Sequence, residues 1–104
     1  MAGPRPGRPV RGSATGRPIM ALLDLLGRRA CLRILWELRD DRPTFRALQL
    51  AAETNPGVLN TRLAELREAG IVEHDGGGYC LTARGRQLLE HLGPLNAWAD
   101  AWRG

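Results

Sequence analysis

The stretch that most constrains the fold runs from Asn55 to Val72 and predicts an amphipathic helix followed by a strand. Asn55 can cap the helix with its side-chain oxygen, and Pro56 suits the first helical position, where no backbone N–H is needed. Three leucines then recur at helical spacing and predict a face that packs against a core: Leu59, Leu63 and Leu66. Gly70 is expected to end the helix, and the apolar residues after it begin the strand.

The outward face of this helix begins with small, uncharged residues. Asn60 can bond adenine bidentately, Thr61 can bond a base or contact a thymine methyl group, and Gly57 permits a close approach. Carboxylates are expected on this face only further along, at Glu65 and Glu68. A helix that enters a DNA major groove by its first turns has this distribution. An ordinary surface helix has it too, so these residues alone leave both interpretations open.

Length and composition bound the remaining possibilities. At 104 residues, with 43% hydrophobic residues, the chain has room for one domain with a modest core. No apolar run approaches the ~20 residues that span a bilayer, and the N-terminus lacks the apolar centre of a signal peptide. We therefore expect a cytoplasmic protein without a membrane partner. In that compartment Cys31 and Cys80 are expected to be buried thiols and not a disulfide.

The basic residues are all arginines, 15 in number, and they are unevenly placed. Residues 1–18 contain four of them and no acidic residue, so the other 11 arginines balance the 11 acidic residues of 19–104. This Pro-, Gly- and Arg-rich segment is predicted to be a disordered tail, and residues 19–104 are predicted to form the domain. The tail is either a basic arm that contacts phosphates or a dispensable extension.

Three helices are predicted before the central one. Residues 19–26 form a very apolar helix, and residues 28–39 carry two neighbouring apolar stripes that predict a central position in the core. After a turn at 40–43, Thr44 is expected to cap a third helix, in which Phe45, Leu48 and Ala52 share a face. That helix is joined by very few residues to the helix at Asn55. This arrangement predicts a helix-turn-helix.

A hairpin and two more helical segments follow. Residues 71–75 and 79–81 read as short strands around the turn Gly76 to Gly78. Thr82 is expected to cap the next helix, and Gly93–Pro94 should break it because proline has no helical N–H. The order predicts a mainly α fold with a small β hairpin, the winged helix-turn-helix. The hairpin directly after the helix at Asn55 strengthens the DNA-binding interpretation.

Five motifs in this order resemble the HxlR-type winged-helix transcriptional regulators of bacteria, in the neighbourhood of MarR-like proteins. They are LLGRR at 25–29, ILWEL at 34–38, TFRAL at 44–48, VLNTRLAELREAGIV at 58–72 and YCLTARGRQLL at 79–89, with Trp98 beyond them. The resemblance covers residues 22–98. It implies a homodimeric regulator of transcription, with the first and last helices at the dimer interface. Residues 55–69 would lie in the major groove, and the hairpin would reach the DNA backbone or minor groove.

The chain departs from the family pattern in three places. Ala30 stands where the family usually has tryptophan, no cysteine precedes the first helix, and the hairpin is short with a glycine tip. The resemblance therefore does not predict thiol sensing or strong hairpin contacts with DNA for this chain. A repressor is favoured over an activator only because such proteins often block promoters.

The predicted DNA-binding residues combine the helix starts, the outward face, the hairpin tip and nearby arginines. They are Thr44, Arg46, Asn55, Gly57, Asn60, Thr61, Arg62, Gly77, Gly78 and Arg84. For Arg62, a phosphate contact and a pair with Glu65 along the helix are equally supported. Arg46 and Arg84 fit a phosphate contact or a solvated charge equally well.

Two apolar end helices in so small a chain predict a second copy as partner. The residues predicted at this interface are Leu22, Leu25, Leu26, Leu92, Leu95, Trp98 and Trp102. A small-molecule effector, if the protein uses one, must bind at the dimer interface or between domains of the dimer. The alternative function is a winged helix that binds a protein and no specific DNA, which the neutral domain and the plain hairpin tip support.

The sequence lacks the residue patterns that metal sites and enzyme active sites require. The two cysteines and His74 and His91 have no metal-ligand spacing, so neither a metal nor another cofactor is expected. The glycines of the hairpin lack the Lys and Ser or Thr of a phosphate loop, and the only serine, Ser13, lies in the tail. We therefore do not expect an enzyme.

Overall fold

The computed structural model describes residues 17–104 of the protein. In that part of the chain the order is three helices, a longer helix, a hairpin and two more helices, as predicted, and the fold class is confirmed. The elements are α1 (Pro18–Leu26), α2 (Cys31–Glu37), α3 (Phe45–Ala51), α4 (Pro56–Glu68), β1 (Val72–Asp75), β2 (Gly78–Leu81), α5 (Ala83–Leu92) and α6 (Pro94–Arg103). The predicted tail falls almost entirely on residues 1–16, which lie outside the described residues.

Side-chain caps begin three of these helices at the residues expected from the sequence. Oγ1 of Thr44 accepts from the Ala47 N–H at 3.2 Å, and Oδ1 of Asn55 accepts from the Val58 N–H at 2.8 Å. Oγ1 of Thr82 is bonded in the same way, to the Gly85 N–H. Each cap satisfies a backbone donor that the first helical turn leaves unpaired.

The helix ends also follow local chemistry, with one exception. Gly70 adopts a φ of 77° beyond the end of α4, and α5 gives way to α6 at Gly93 and Pro94, as predicted. The helix predicted for 28–39 is shorter, because the chain turns between α1 and α2. Ala30 occupies the left-handed region in that turn, with a φ of 68°, and α2 begins only at Cys31.

One core lies between α2, α3, α4 and the hairpin. The leucine stripe of α4 faces it as predicted, and α2 occupies its centre, with Ile34 and Leu35 without exposed surface. Leu48 of α3, Val72 of β1 and Leu81 of β2 close it. No helix within residues 17–104 is long and apolar enough to cross a membrane.

The hairpin is antiparallel and rests on the loop between α2 and α3. Its register pairs Val72 with Leu81 and Asp75 with Gly78. The Tyr79 N–H donates to the Pro43 carbonyl at 2.9 Å. A Cβ at Gly78 would lie 2.6 Å from the Pro43 carbonyl oxygen, and the φ of Gly78 is 142°. Glycine is therefore required there, and the contact holds the hairpin beside the start of α3.

Candidate nucleic-acid interface

The exposed face of α4 contains the three residues that the sequence predicted would meet bases. Gly57, Asn60 and Thr61 are all exposed, while the leucine stripe on the other side of α4 is buried. Ala64 continues the exposed face one turn further on. Small and uncharged side chains here leave the helix free to approach another surface closely, and the amide of Asn60 and the hydroxyl of Thr61 supply donors and acceptors.

Arg67 is a candidate that the sequence analysis missed. It is exposed seven residues after Asn60, on the same face of α4, and its guanidinium forms no ion pair with any described residue. The signal was the helical spacing itself, which places residues 60, 64 and 67 on one side. Arg46 on α3 is likewise exposed and unpaired within residues 17–104.

Arg62 takes the second of the two roles left open for it. Its Nη1 donates to Oε1 of Glu65, and its Nε donates to the Arg29 carbonyl at 2.9 Å. Glu65 is only 3% exposed, so the expectation that it lies on the outward face is wrong. The carboxylate instead turns inward, because Arg28 bonds it from the α1–α2 connection. Arg62 is therefore directed away from the exposed face of α4.

The hairpin tip has fewer groups available for DNA contacts than the sequence predicted. Gly78 is buried against the α2–α3 loop, which corrects its prediction as a DNA contact. The Gly77 N–H donates to Oδ1 of Asp75 at 2.8 Å, so it is already used within the hairpin. That bond and an ion pair with Arg42 lower the pKa of Asp75. The exposed residues of β1 are Glu73, His74 and Asp75, which do not attract phosphates as a basic hairpin would.

The two helix starts and Arg84 are placed as follows. Thr44 and Asn55 are exposed, and both use their side-chain oxygens as caps. Arg84 is exposed near the start of α5 and lines an apolar cleft of about 200 Å³. The other lining residues come from α1, the end of α4 and α5: Pro18, Ala21, Leu22, Leu25, Ala69, Ile71 and Leu88.

The end helices expose a large apolar surface. No residue of α6 is buried, and Leu95, Trp98 and Trp102 are 56%, 61% and 76% exposed. The two indole rings stack with their centroids 5.6 Å apart. On α1, Ile19 and Leu23 are each more than half exposed. Exposed apolar side chains in such number are typical of an interaction site.

The remaining predicted interface residues are less accessible. Leu22, Leu26 and Leu92 are partly buried. Leu25 is 3% exposed and belongs to the core, so its prediction as an interface residue is corrected. The physical reason is that α1 is apolar nearly all round, and Leu25 lies on the side that packs against α2.

Both cysteines are buried, as predicted. Cys31 has no exposed surface, and burial raises the pKa of its thiol to about 11. A buried thiol that stays protonated near neutral pH is a poor nucleophile. Among residues 17–104, no three His, Cys, Asp or Glu side chains lie together as a metal site would require.

Comparison with known proteins agrees with this geometry. The model of the HxlR-like helix-turn-helix family matches residues 25–104. YvaP of Bacillus subtilis, an HTH-type transcriptional regulator, is 31% identical over 88 residues, which cover 77% of this chain and 82% of YvaP. MJ0925 of Methanocaldococcus jannaschii, another HTH-type transcriptional regulator, is 25% identical over 89 residues, which cover 81% of this chain and 84% of MJ0925.

Solved structures resemble the fold over the same region. The quinone-bound YodB of B. subtilis matches with a TM-score of 0.72 and 30% identity, covering 80% of this chain and 96% of YodB. The reduced form of YodB matches with a TM-score of 0.69 and 28% identity, covering 79% and 88%. The activation domain of the phage T4 transcription factor MotA, at 21% identity and a TM-score of 0.60, shares the fold alone.

Proposed function

The chain belongs to the HxlR-like helix-turn-helix family, whose members are transcriptional regulators and not enzymes, and from that premise we propose a homodimer that reads a specific DNA sequence. In this proposal α4 enters the major groove, and the protein acts as a repressor by covering a promoter.

The exposed face of α4 is the observation that supports the proposal most strongly. It presents the side chains of Asn60 and Thr61 beside Gly57 and Ala64, and it has no large apolar residue. An interface that binds a protein usually has an apolar or aromatic centre, whereas groove recognition needs polar groups on a helix that can approach closely. We assign base contacts to Asn60 and Thr61.

Phosphate contacts are assigned to arginines around that face. Arg67 extends the face of α4, and Arg46 lies in the first turn of α3; both are exposed. Guanidinium groups fit phosphate oxygens bidentately and add a salt-dependent part to the affinity. The arginine-containing tail is proposed to add to the same salt-dependent part without reading sequence.

The partner at the end helices is proposed to be a second copy of the chain. The end helices expose large apolar side chains that no described part of the chain covers. They are Leu95, Trp98 and Trp102 of α6 and Ile19 and Leu23 of α1. A two-fold axis there lets identical stripes cover one another. Such a dimer places two copies of α4 about 34 Å apart, one turn of DNA, and requires a palindromic operator.

We place a small-molecule effector of this regulator in the apolar cleft between α1 and α5 of one protomer, a site beside the proposed dimer interface that the sequence did not predict. The cleft lies beside both the proposed dimer helix and the end of α4, so a bound molecule would alter their relative position. The solved structure of the similar YodB with bound quinone supports control by small molecules in such proteins.

Selection from a random duplex library tests the function directly. The full chain is expected to enrich a two-fold symmetric sequence whose half-sites are centred about 10 base pairs apart. Absence of any enriched sequence would contradict a sequence-reading protein and favour the protein-binding alternative. A single enriched half-site would contradict the dimer and retain the role of α4.

Replacing Trp98 by glutamate is expected to convert the dimer into a monomer, because the carboxylate would be buried without a partner in the interface. The mass measured by light scattering should fall from twice the chain mass of 11.4 kDa to that mass. Leu50→Glu is the matched control, since Leu50 is 65% exposed on α3, outside the proposed interface. A wild-type mass of one chain, or an unchanged dimer in the Trp98 variant, would contradict this interface.

A further inference from the structure

Four charged side chains form a nearly buried cluster between α1 and α4, here called the ionic cluster: Asp24, Arg28, Arg62 and Glu65. Nη2 of Arg28 donates to Oδ2 of Asp24 at 3.0 Å, and its Nη1 donates to Oε2 of Glu65. The other oxygen of Glu65 accepts from Nη1 of Arg62. The side chain of Glu65 is only 4% exposed, so both of its oxygens are used inside the protein.

The ionic cluster joins parts of the chain that are distant in sequence. Asp24 lies in α1, Arg28 in the α1–α2 connection, and Arg62 and Glu65 in α4. Nε of Arg62 adds a second tie to the connection through the Arg29 carbonyl. The recognition helix, as we call α4, is therefore bonded through two of its side chains to the segment that directly follows α1.

Stability alone does not account for this arrangement. Charges lose hydration when they are buried, and apolar residues of similar volume often stabilise a protein at least as well. The leucine stripe of α4 already holds the helix on the core without directional bonds. What the ionic cluster adds is direction, because two bonds leave α4 for the α1–α2 connection: Arg28 donates to Glu65, and Arg62, which Glu65 holds in place, donates to the Arg29 carbonyl. Together they fix the rotation of α4 about its axis.

We propose that Glu65 is a positioning residue that fixes the recognition helix relative to α1 and thereby sets the half-site spacing that the dimer accepts. The inference rests on the proposed function, in which α1 and α6 form the dimer interface and α4 lies in the groove. In such a dimer, α1 is next to the two-fold axis. Any rotation of α4 against α1 therefore changes the distance and the angle between the two recognition helices.

The DNA makes this dependence measurable. One inserted base pair moves a half-site by about 3.4 Å along the axis and rotates it by about 35°. A dimer with rigidly placed recognition helices cannot follow that change without losing contacts in one half-site. A dimer whose α4 can rotate follows it at lower cost.

The experiment measures affinity for the selected duplex and for versions with one base pair added or removed between the half-sites. Wild-type protein is expected to lose roughly tenfold or more in affinity on either change, and Glu65→Gln to lose no more than about threefold. Glutamine offers one acceptor oxygen and turns its NH2 toward a guanidinium, so at most one arginine stays bonded. A partly unfolded variant binds all duplexes less well in the same proportion, so the ratio between spacings reports positioning.

Two further variants make the result specific. Glu68→Gln removes the same charge from the exposed side of α4 and should change affinity equally at every spacing. Arg28→Gln breaks the tie to α1 and leaves the Arg62–Glu65 pair within α4, so it should broaden the spacing preference as Glu65→Gln does. Arg28→Gln also tests the role of the ionic cluster if Glu65→Gln does not fold.

The role of Glu65 and the proposed DNA-binding function fail on different outcomes. A wild-type protein with a sharp spacing preference that both variants retain would overturn the role of Glu65 and leave the proposed function intact. A wild-type protein that enriches no duplex would overturn both. Equal broadening by Glu68→Gln would also overturn the inference, because it would trace the effect to charge and not to the ionic cluster.

Discussion

Thr61→Glu should reduce affinity for the selected duplex by more than about 100-fold while the protein remains folded. Thr61 is exposed in the middle of the face of α4 that we place against the bases. A carboxylate there would face the negative potential of the groove and remove a hydroxyl that can donate or accept. Glutamate is a good helix former, so the melting temperature should change little. Fluorescence anisotropy with labelled duplex measures the affinity, and circular dichroism checks the fold.

Gln87→Glu is the matched control for charge. Gln87 is exposed on α5, outside the proposed base-reading face, so the same unit of charge there should weaken binding by no more than about threefold. Retained affinity in Thr61→Glu would contradict the assignment of α4. It is also the result that a protein-binding winged helix would give.

Gly85→Ala is expected to destabilise the fold by about 3 kcal/mol or more. A Cβ at Gly85 would lie 2.2 Å from the Ile71 carbonyl oxygen, which is backbone and cannot turn aside. The same oxygen accepts from the N–H of Thr82 at 3.0 Å, so moving it also disturbs the start of α5. In a domain of this size the melting temperature should fall by roughly 12 °C or more.

Gly57→Ala is expected to stabilise the protein, in contrast to Gly85→Ala. Its Cβ would meet nothing closer than Oδ1 of Asn55 at 3.4 Å, so the gain in helix propensity should stabilise α4 by roughly 0.5–1 kcal/mol. Thermal unfolding of both variants against the wild type measures the contrast. A Gly85→Ala protein that melts within a few degrees of the wild type would show that α5 can move away from the hairpin.

Features set by neighbouring residues were predictable from the sequence. The caps at Thr44, Asn55 and Thr82 need only a side-chain oxygen and a backbone N–H two or three residues on, and the structure confirms all three. The leucine stripe of α4 needs only helical periodicity. The hairpin turn and the break at Pro94 likewise follow from short-range chemistry.

Features set by distant partners were not predictable. Glu65 lies inward because Arg28, 37 residues earlier, bonds it, and helical spacing alone left it on the outward face. The sequence left Gly77 and Gly78 available for DNA contacts. In the structure the Gly77 N–H is bonded to Asp75, and Gly78 packs against the α2–α3 loop. Leu25 could not be distinguished from the other leucines of α1, because a helix that is apolar nearly all round does not show which side is buried.

The most direct test of the central claim is binding of the purified protein to duplex DNA from its own upstream region, titrated against salt beside a scrambled duplex. We expect preferential binding to the upstream duplex that persists at moderate salt, because base contacts by α4 do not depend on counterion release as phosphate contacts do. Equal and steeply salt-dependent binding to both duplexes would contradict it and leave only the contribution of the arginines to phosphates.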